Sequence, residues 1–341
     1  AALLMTSNGH ELRSQGWGND SLAAVSLLME AEASEARGAN ERADDLWREL
    51  LHRFPQEPTS ARARQRIPEK HQELLALQPG HPAALATAAA MDPAESTSHR
   101  GGLHLARWGW RWTGAEERIR QACEMETPSP LERQRLAWAL GMLGRANSAK
   151  LCLRDGVASA ETGLAVGRAL LQGDANQRRD GEDLLMKLIR QHPDHSASTE
   201  AVRLLMAPQT PDPALLKAIP RALAERTAAV AAARARMNGG EGTLSVLKRW
   251  PKDRDSWQLQ WDGARDALLN ENWKQARDLL EALPEESMPP PLEARQRFWL
   301  GFSEAELGNT VEAHGHWEAL LLSHPPGYYR WRAANRLQGE Q

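Results

Sequence analysis

The sequence predicts an all-α chain whose helical hairpins follow one another as an irregular α-solenoid, a superhelix grown along one axis. Three observations carry this expectation. The 341 residues are rich in Ala, Leu, Arg and Glu but hold only 3 Phe and 2 Tyr, a composition that favours helix and lacks the β-branched and aromatic content of strands. A helix end of the form Leu-Trp-x-x-Leu-Leu-x-x-Phe-Pro stops at Pro55, and close copies stop at Pro193 and Pro325. After each of these prolines an alanine stands eight residues on (Ala63, Ala201, Ala333) and an aliphatic residue twelve residues on (Ile67, Leu205, Leu337).

The clearest units span about 21–67, 164–205 and 298–337. In the first, Leu27, Leu28 and the run Ala31 to Ala36 form a helix ended by Gly38, since glycine tolerates the positive φ of a helix C-terminus. Ala43, Leu46, Trp47, Leu50, Leu51 and Phe54 share one face of a second helix. Pro55 stops it because proline has no amide proton and clashes with the preceding turn. A third helix starts at Thr59-Ser60, residue types suited to an N-cap, and continues through Ala61, Ala63 and Ile67. Gly38 precedes Ala43 by five residues, as Gly144 precedes Ala149 and Gly308 precedes Ala313.

Weaker copies fill the intervals. Glu73 to Pro79 is a shortened helix end. Leu136 to Gly144 is a first helix with small residues, and Leu244 to Pro251 and Ala276 to Pro284 again stop at proline. This alternation of small and large residues follows the tetratricopeptide logic of about 34 residues per antiparallel helix pair, without its full consensus. Breaks at Asp92 to Gly102, Thr127 to Pro130, Ala207 to Pro213, Asn238 to Gly242 and Ser287 to Pro291 read as inter-helix loops. Residues 1–341 are therefore expected to form a single α-superhelical domain.

The net charge of -3 and pI near 6.5 argue against a nucleic-acid partner. No apolar run approaches the ~20 residues needed to span a bilayer, and the segment Ala1-Ala-Leu-Leu-Met lacks a basic n-region and a cleavage site. Cys123 and Cys152 cannot make a disulfide framework. Buried free thiols are expected, with one bridge open to them in an oxidising compartment. Most of the thirteen Trp are expected in core or inter-helix packing, the rest lining a groove.

No catalytic, cofactor-binding or metal-binding constellation is found. His192 and His195 straddle a helix-ending proline, and His314 and His316 do not share a helix face, with His324 nearby. Phosphate-cradling glycine motifs and the Gly-x-Ser-x-Gly elbow are absent. In Arg107-Trp108-Gly109-Trp110-Arg111-Trp112, helical geometry puts 108 and 112 on one face and 110 opposite, which favours packing over ligand stacking. In Tyr328-Tyr329-Arg330-Trp331-Arg332, Tyr328 and Trp331 are expected inward and Arg330 outward.

Trp299-Leu-Gly, Leu307-Gly308, Ala313, Trp317, Leu320-Leu321, Pro325 and Tyr328-Tyr329-x-Trp-x-Ala-Ala-x-Arg-Leu337 together resemble the last units of the helical superhelix of soluble lytic murein transglycosylases. The resemblance is specific over about forty residues and general over the remainder. It implies a non-catalytic region that holds peptidoglycan glycan strands or docks cell-wall proteins in the periplasm. A separate lysozyme-like domain of the same parent chain would cleave the bond between N-acetylmuramic acid and N-acetylglucosamine to a 1,6-anhydro product. The family's catalytic Glu lies in a Glu-Ser dipeptide with Gly-Leu-Met-Gln further along. Here neither Glu95-Ser96 nor Glu286-Ser287 is followed by that motif, so no catalytic residue is carried over. A free-standing tetratricopeptide-like adaptor that binds a protein partner accounts for the repeats equally well.

Overall fold

The structure, a computed structural model, describes residues 20–91, 99–154, 158–208 and 212–339; the N-terminal segment, most of the Asp92 to Gly102 break with Glu95-Ser96, and part of the Ala207 to Pro213 break lie outside them. The described residues form helices, 3-10 turns and loops without a strand, so the chain is all-α. It divides into two compact units, 1–181 and 182–341.

The first unit opens with α1 (Ser21–Ala36) and α2 (Asn40–Arg53). Asp20 caps α1 by accepting the Ala23 amide at 2.9 Å. Glu30 meets Arg42 beside the turn, and Ser21 donates to Glu57 at 2.9 Å at the far end, so the two helices run antiparallel. Ala23, Leu27 and Ala31 recur every four residues and bury against Ala43, Leu46, Trp47 and Leu50. Burying side chains of this size contributes about 1.5–3 kcal/mol each for the larger ones, and this makes the hairpin a core of its own.

Short helices α3 (Ser60–Arg66), α4 (His71–Leu77) and α5 (Pro82–Ala90) follow. The side chains of Thr59 and Ser60 make no cap, contrary to expectation. Ser60 Oγ instead donates to the Phe54 carbonyl, which the following proline leaves available. The fully buried Arg64 is satisfied by Glu73 at 3.0 Å, Gln78 at 3.1 Å and the Pro55 carbonyl at 2.7 Å, as a buried guanidinium requires.

Next come α6 (His99–Trp108), α7 (Ala115–Glu124), α8 (Pro130–Met142), α9 (Ala146–Leu153) and α10 (Ala160–Leu171). A full capping box, Ser129 with Glu132, starts α8. Cys123 on α7 and Cys152 on α9 are joined by a disulfide, their Cα atoms 5.1 Å apart. This corrects the expectation of free thiols: α8 lies between its two neighbours in sequence, yet α7 and α9 meet closely enough to be bridged. Arg133 of α8 is buried beside the bridge and donates to the carbonyls of Cys123 at 3.0 Å and Met125 at 2.6 Å.

Helix α11 (Ala175–Gln191) crosses the boundary between the units, so the expected repeat 164–205 is shared between them. The second unit continues with α12 (Ser196–Met206), α13 (Pro213–Ala218), α14 (Arg221–Arg226), α15 (Ala228–Met237), α16 (Thr243–Arg249), α17 (Arg254–Leu269), α18 (Trp273–Glu281), α19 (Pro290–Glu306), α20 (Thr310–Ser323) and α21 (Tyr328–Gly339). His195 Nδ1 accepts the Ala197 amide at 3.1 Å and so caps α12. The carbonyls at the end of α18 are taken by two buried glutamines: Gln260 donates to Leu280 at 3.0 Å, and Gln296 to Leu283 at 3.0 Å. Helices α19 and α20 are antiparallel, since Trp317 donates to the Phe298 carbonyl at 3.2 Å while Glu293 faces His324 at 3.7 Å.

The repeated spacings have a physical counterpart. Gly38, Gly144 and Gly308 all adopt positive φ (76, 75 and 84°). The amide of the residue after each bonds back to a carbonyl five positions earlier, Ala39 to Ser34, Arg145 to Leu140 and Asn309 to Glu304, at 2.8–2.9 Å, the hydrogen-bond pattern of a Schellman turn. The alanines eight residues past the prolines, Ala63, Ala201 and Ala333, are all fully buried.

Candidate functional site

Helix α19 places Arg295, Phe298, Trp299 and Phe302 at i, i+3, i+4 and i+7, on one face. Helix α21 lies beside it. Arg332 stacks over Phe298 at 5.2 Å and Arg336 over Phe302 at 4.8 Å. A step of four residues on one helix matches a step of four on the other, so α19 and α21 run parallel. Trp261 of α17 and Trp273 of α18 extend the face, Trp261 lying 6.5 Å from Trp299 and Trp273 5.8 Å from Phe302. Within α19, Trp299 meets Phe298 and Phe302 edge-on, both at 5.3 Å, the arrangement that aromatic quadrupoles favour.

The guanidiniums lie over these rings. Arg295 sits 4.0 Å over Trp261, and its burial lowers its pKa, opposed by Tyr329 and Asp262; it stays charged, because arginine does not lose its proton in proteins. Arg332 also lies 5.7 Å over Tyr328 and donates to its hydroxyl at 2.8 Å. Phe298 is buried, whereas Trp261, Trp273, Trp299 and Phe302 keep part of their surface open. Tyr328 and Trp331 are each 60% exposed, with their rings 6.5 Å apart. The result is a continuous aromatic and cationic face, half inside the protein and half in water.

This corrects the expected orientation of the last helix. Tyr329, Ala333 and Leu337, spaced by four residues, pack on the core, which turns Tyr328 and Trp331 outward. Arg330, expected outward, is part-buried and donates to the His324 carbonyl at 2.8 Å. The expectation of mainly packed tryptophans is also narrowed: among those described, only Trp47 and Trp317 are buried.

The other stretches singled out in the sequence are placed as follows. The Arg107 to Trp112 patch is not on one helix, because α6 ends at Trp108 and the chain turns before α7. Glu286 is exposed, and Ser287 donates to the Pro284 carbonyl at 2.5 Å within a short 3-10 turn. His192 gives its carbonyl to Ser198, and the His314 ring lies 6.1 Å from that of Trp317. No group of three or more His, Cys, Asp or Glu among the described residues is placed to hold a metal. No helix among them is long and apolar enough to cross a membrane.

Among the described residues, one carboxylic acid has a raised pKa. Burial, with Asp253 adding to it, pushes the Asp255 carboxyl up. Arg203 of α12 binds Asp255 at 3.0 Å and Asp253 at 2.8 Å, and Asp253 caps α17 through the Asp255 amide. The cluster ties α12 to α17, and its carboxylates are engaged rather than presented. No protein-family model matches the chain, and no curated protein matches it.

Proposed function

We propose that the chain is a non-catalytic helical-repeat module of the peptidoglycan machinery, whose hairpins stack as an irregular α-solenoid and which holds glycan strands for a lytic transglycosylase activity located in a separate domain. The observation that carries this reading is the aromatic and arginine face of α19 and α21, with Tyr328 and Trp331 open to solvent. A pyranose ring presents C–H groups on one face, which pack on an aromatic ring, and its hydroxyls and amides need polar donors at the rim. Tyr328, Trp331 and Arg332 supply both kinds of contact within one helix turn. Muramic acid also carries a carboxylate, which a guanidinium binds strongly. The same helix carries the resemblance to the transglycosylase superhelix. The Cys123–Cys152 bridge supports a periplasmic location, since disulfides persist in oxidising compartments.

The test is a pelleting assay with purified peptidoglycan sacculi. The chain is expected in the pellet, and a Tyr328→Ala, Trp331→Ala double variant of unchanged melting temperature in the supernatant. Wild-type protein that stays in the supernatant overturns the reading and leaves an adaptor that binds a protein partner.

A further inference from the structure

Helix α8 turns Leu131, Arg135, Trp138 and Met142 to one side, at i, i+4, i+7 and i+11. A face of that spacing is ordinarily covered by another element. Here Leu131 is 77% exposed and Met142 37% exposed, and Trp108 at the end of α6 is 52% exposed. The stripe extends over about 16 Å of helix axis, three turns at 1.5 Å per residue.

Three guanidiniums surround it. Arg135 lies 4.3 Å over Trp138, Trp138 meets Trp110 edge-on at 6.0 Å, and Arg111 lies 4.4 Å over Trp110. Arg135 also donates to the Arg107 carbonyl at 3.1 Å, which brings the third cation alongside. No carboxylate among the described residues pairs with Arg107, Arg111 or Arg135, whereas Arg120 pairs with Glu117 and Arg145 with Glu116 on the neighbouring surface. Arg135 feels only burial and Arg107, both of which disfavour its charge. A guanidinium already packed over an indole loses little further freedom when a carboxylate binds its remaining N–H groups.

We propose that this face of the first unit docks an acidic amphipathic helix of a partner protein. The apolar side of that helix would lie on Leu131, Trp138, Met142 and Trp108, and its flanking carboxylates would meet Arg107, Arg111 and Arg135. Helix-in-groove recognition uses anchors at this spacing, and the unpaired cations define the sign of the occupant. A nucleic acid is a poorer fit, since the cations are few and the chain as a whole carries a net charge of -3. This surface shares no residue with the α19 and α21 face, and the proposal does not depend on glycan binding.

The test is fluorescence anisotropy with the full chain and a labelled Leu/Glu amphipathic peptide, its Glu→Gln and Glu→Lys counterparts, and inorganic polyphosphate as competitor. The acidic peptide is expected to bind about ten-fold or more tightly than the Gln form, a difference of about 1.4 kcal/mol, and the Lys form not at all. Arg107→Glu with Arg111→Glu is expected to weaken the acidic peptide at least about ten-fold at an unchanged melting temperature. Should that pair lower the melting temperature, Leu131→Glu, at a position outside the ring stack, is expected to give the same loss. Equal binding of the Glu and Gln peptides, no binding of the acidic peptide at millimolar concentration, indifference to the variants, or complete displacement by polyphosphate each overturns the proposal.

Discussion

Gly301 of α19 lies against the indole of Trp317 on α20: a Cβ at position 301 would stand 2.6 Å from Nε1. That nitrogen also donates to the Phe298 carbonyl at 3.2 Å. The pair therefore sets how closely the two helices approach, and with it the position of Phe298, on which Tyr329 packs at 5.8 Å. Gly301→Ala is expected to destabilise the protein by about 1–3 kcal/mol, the range for overpacking a core. Gly315→Ala is the control, because position 315 is exposed in helix α20 with nothing within 4 Å. There alanine is expected to stabilise by about 0.5–1 kcal/mol. Denaturant melts of the two variants check both signs, and a Gly301→Ala variant as stable as wild type sinks the argument.

Glu271 occupies the position that glycine holds elsewhere. Its φ is 56°, the Asn272 amide bonds back to the Ala267 carbonyl at 2.9 Å, and the buried Ala276 follows five residues later. This is the turn of Gly38, Gly144 and Gly308 made with the wrong side chain, since a Cβ in the left-handed region costs roughly 1–2 kcal/mol. Glu271→Gly is expected to raise stability by about 1 kcal/mol, less than the full strain because glycine also loosens the unfolded chain. Gly308→Ala is expected to lower stability by a similar amount. Opposite signs in urea melts support the turn, and equal signs exclude it.

These turns show what the sequence could and could not convey. The Gly-to-Ala interval is visible at 38/43, 144/149 and 308/313 because only glycine takes that φ freely. The interval at 271/276 is invisible because a glutamate fills it. The proline intervals correctly located the buried Ala63, Ala201 and Ala333, but they did not show that position +5 sends Ser60, Ser198 and Arg330 back to the carbonyl before the proline. The aromatic and arginine face was hidden for a different reason. Its rings come from α17, α18, α19 and α21, and a shift of one residue in the packing of α21 decides whether Tyr328 or Tyr329 meets the core. Pattern alone chose the wrong one. Likewise a separation of 29 residues between Cys123 and Cys152 carries no information about a bridge until α7 and α9 are seen to meet.

The bridge itself is testable. Closing a loop of this length stabilises a protein by about 3–4 kcal/mol on the chain-entropy model, and here it also holds α9 against the helix whose terminal carbonyl Arg133 binds. Cys123→Ala with Cys152→Ala is expected to lower the melting temperature substantially. Thiol titration of the unfolded, unreduced protein is expected to find no free thiol. Two titratable thiols in protein taken from an oxidising compartment contradict the pairing.

Stability is expected to depend on pH through Glu73, a partner of the buried Arg64. Glu73 accepts from Lys70 at 2.9 Å and from Arg64 at 3.0 Å, and these bonds, Lys70 first, hold its carboxyl below the ordinary value of 4.5. The unfolded chain then binds this proton more tightly than the folded one, so the contribution is complete above the ordinary glutamate range and fades as pH falls through the lowered value. Because Glu73 remains over a third exposed, solvent screening keeps the effect below about 1 kcal/mol. Glu73→Gln keeps an acceptor for Arg64 but cannot titrate. Its stability is expected to fall less steeply than wild type between pH 5 and pH 3, while the two proteins differ by a constant amount above pH 6. Parallel curves through the acid range would show that Glu73 does not couple to folding.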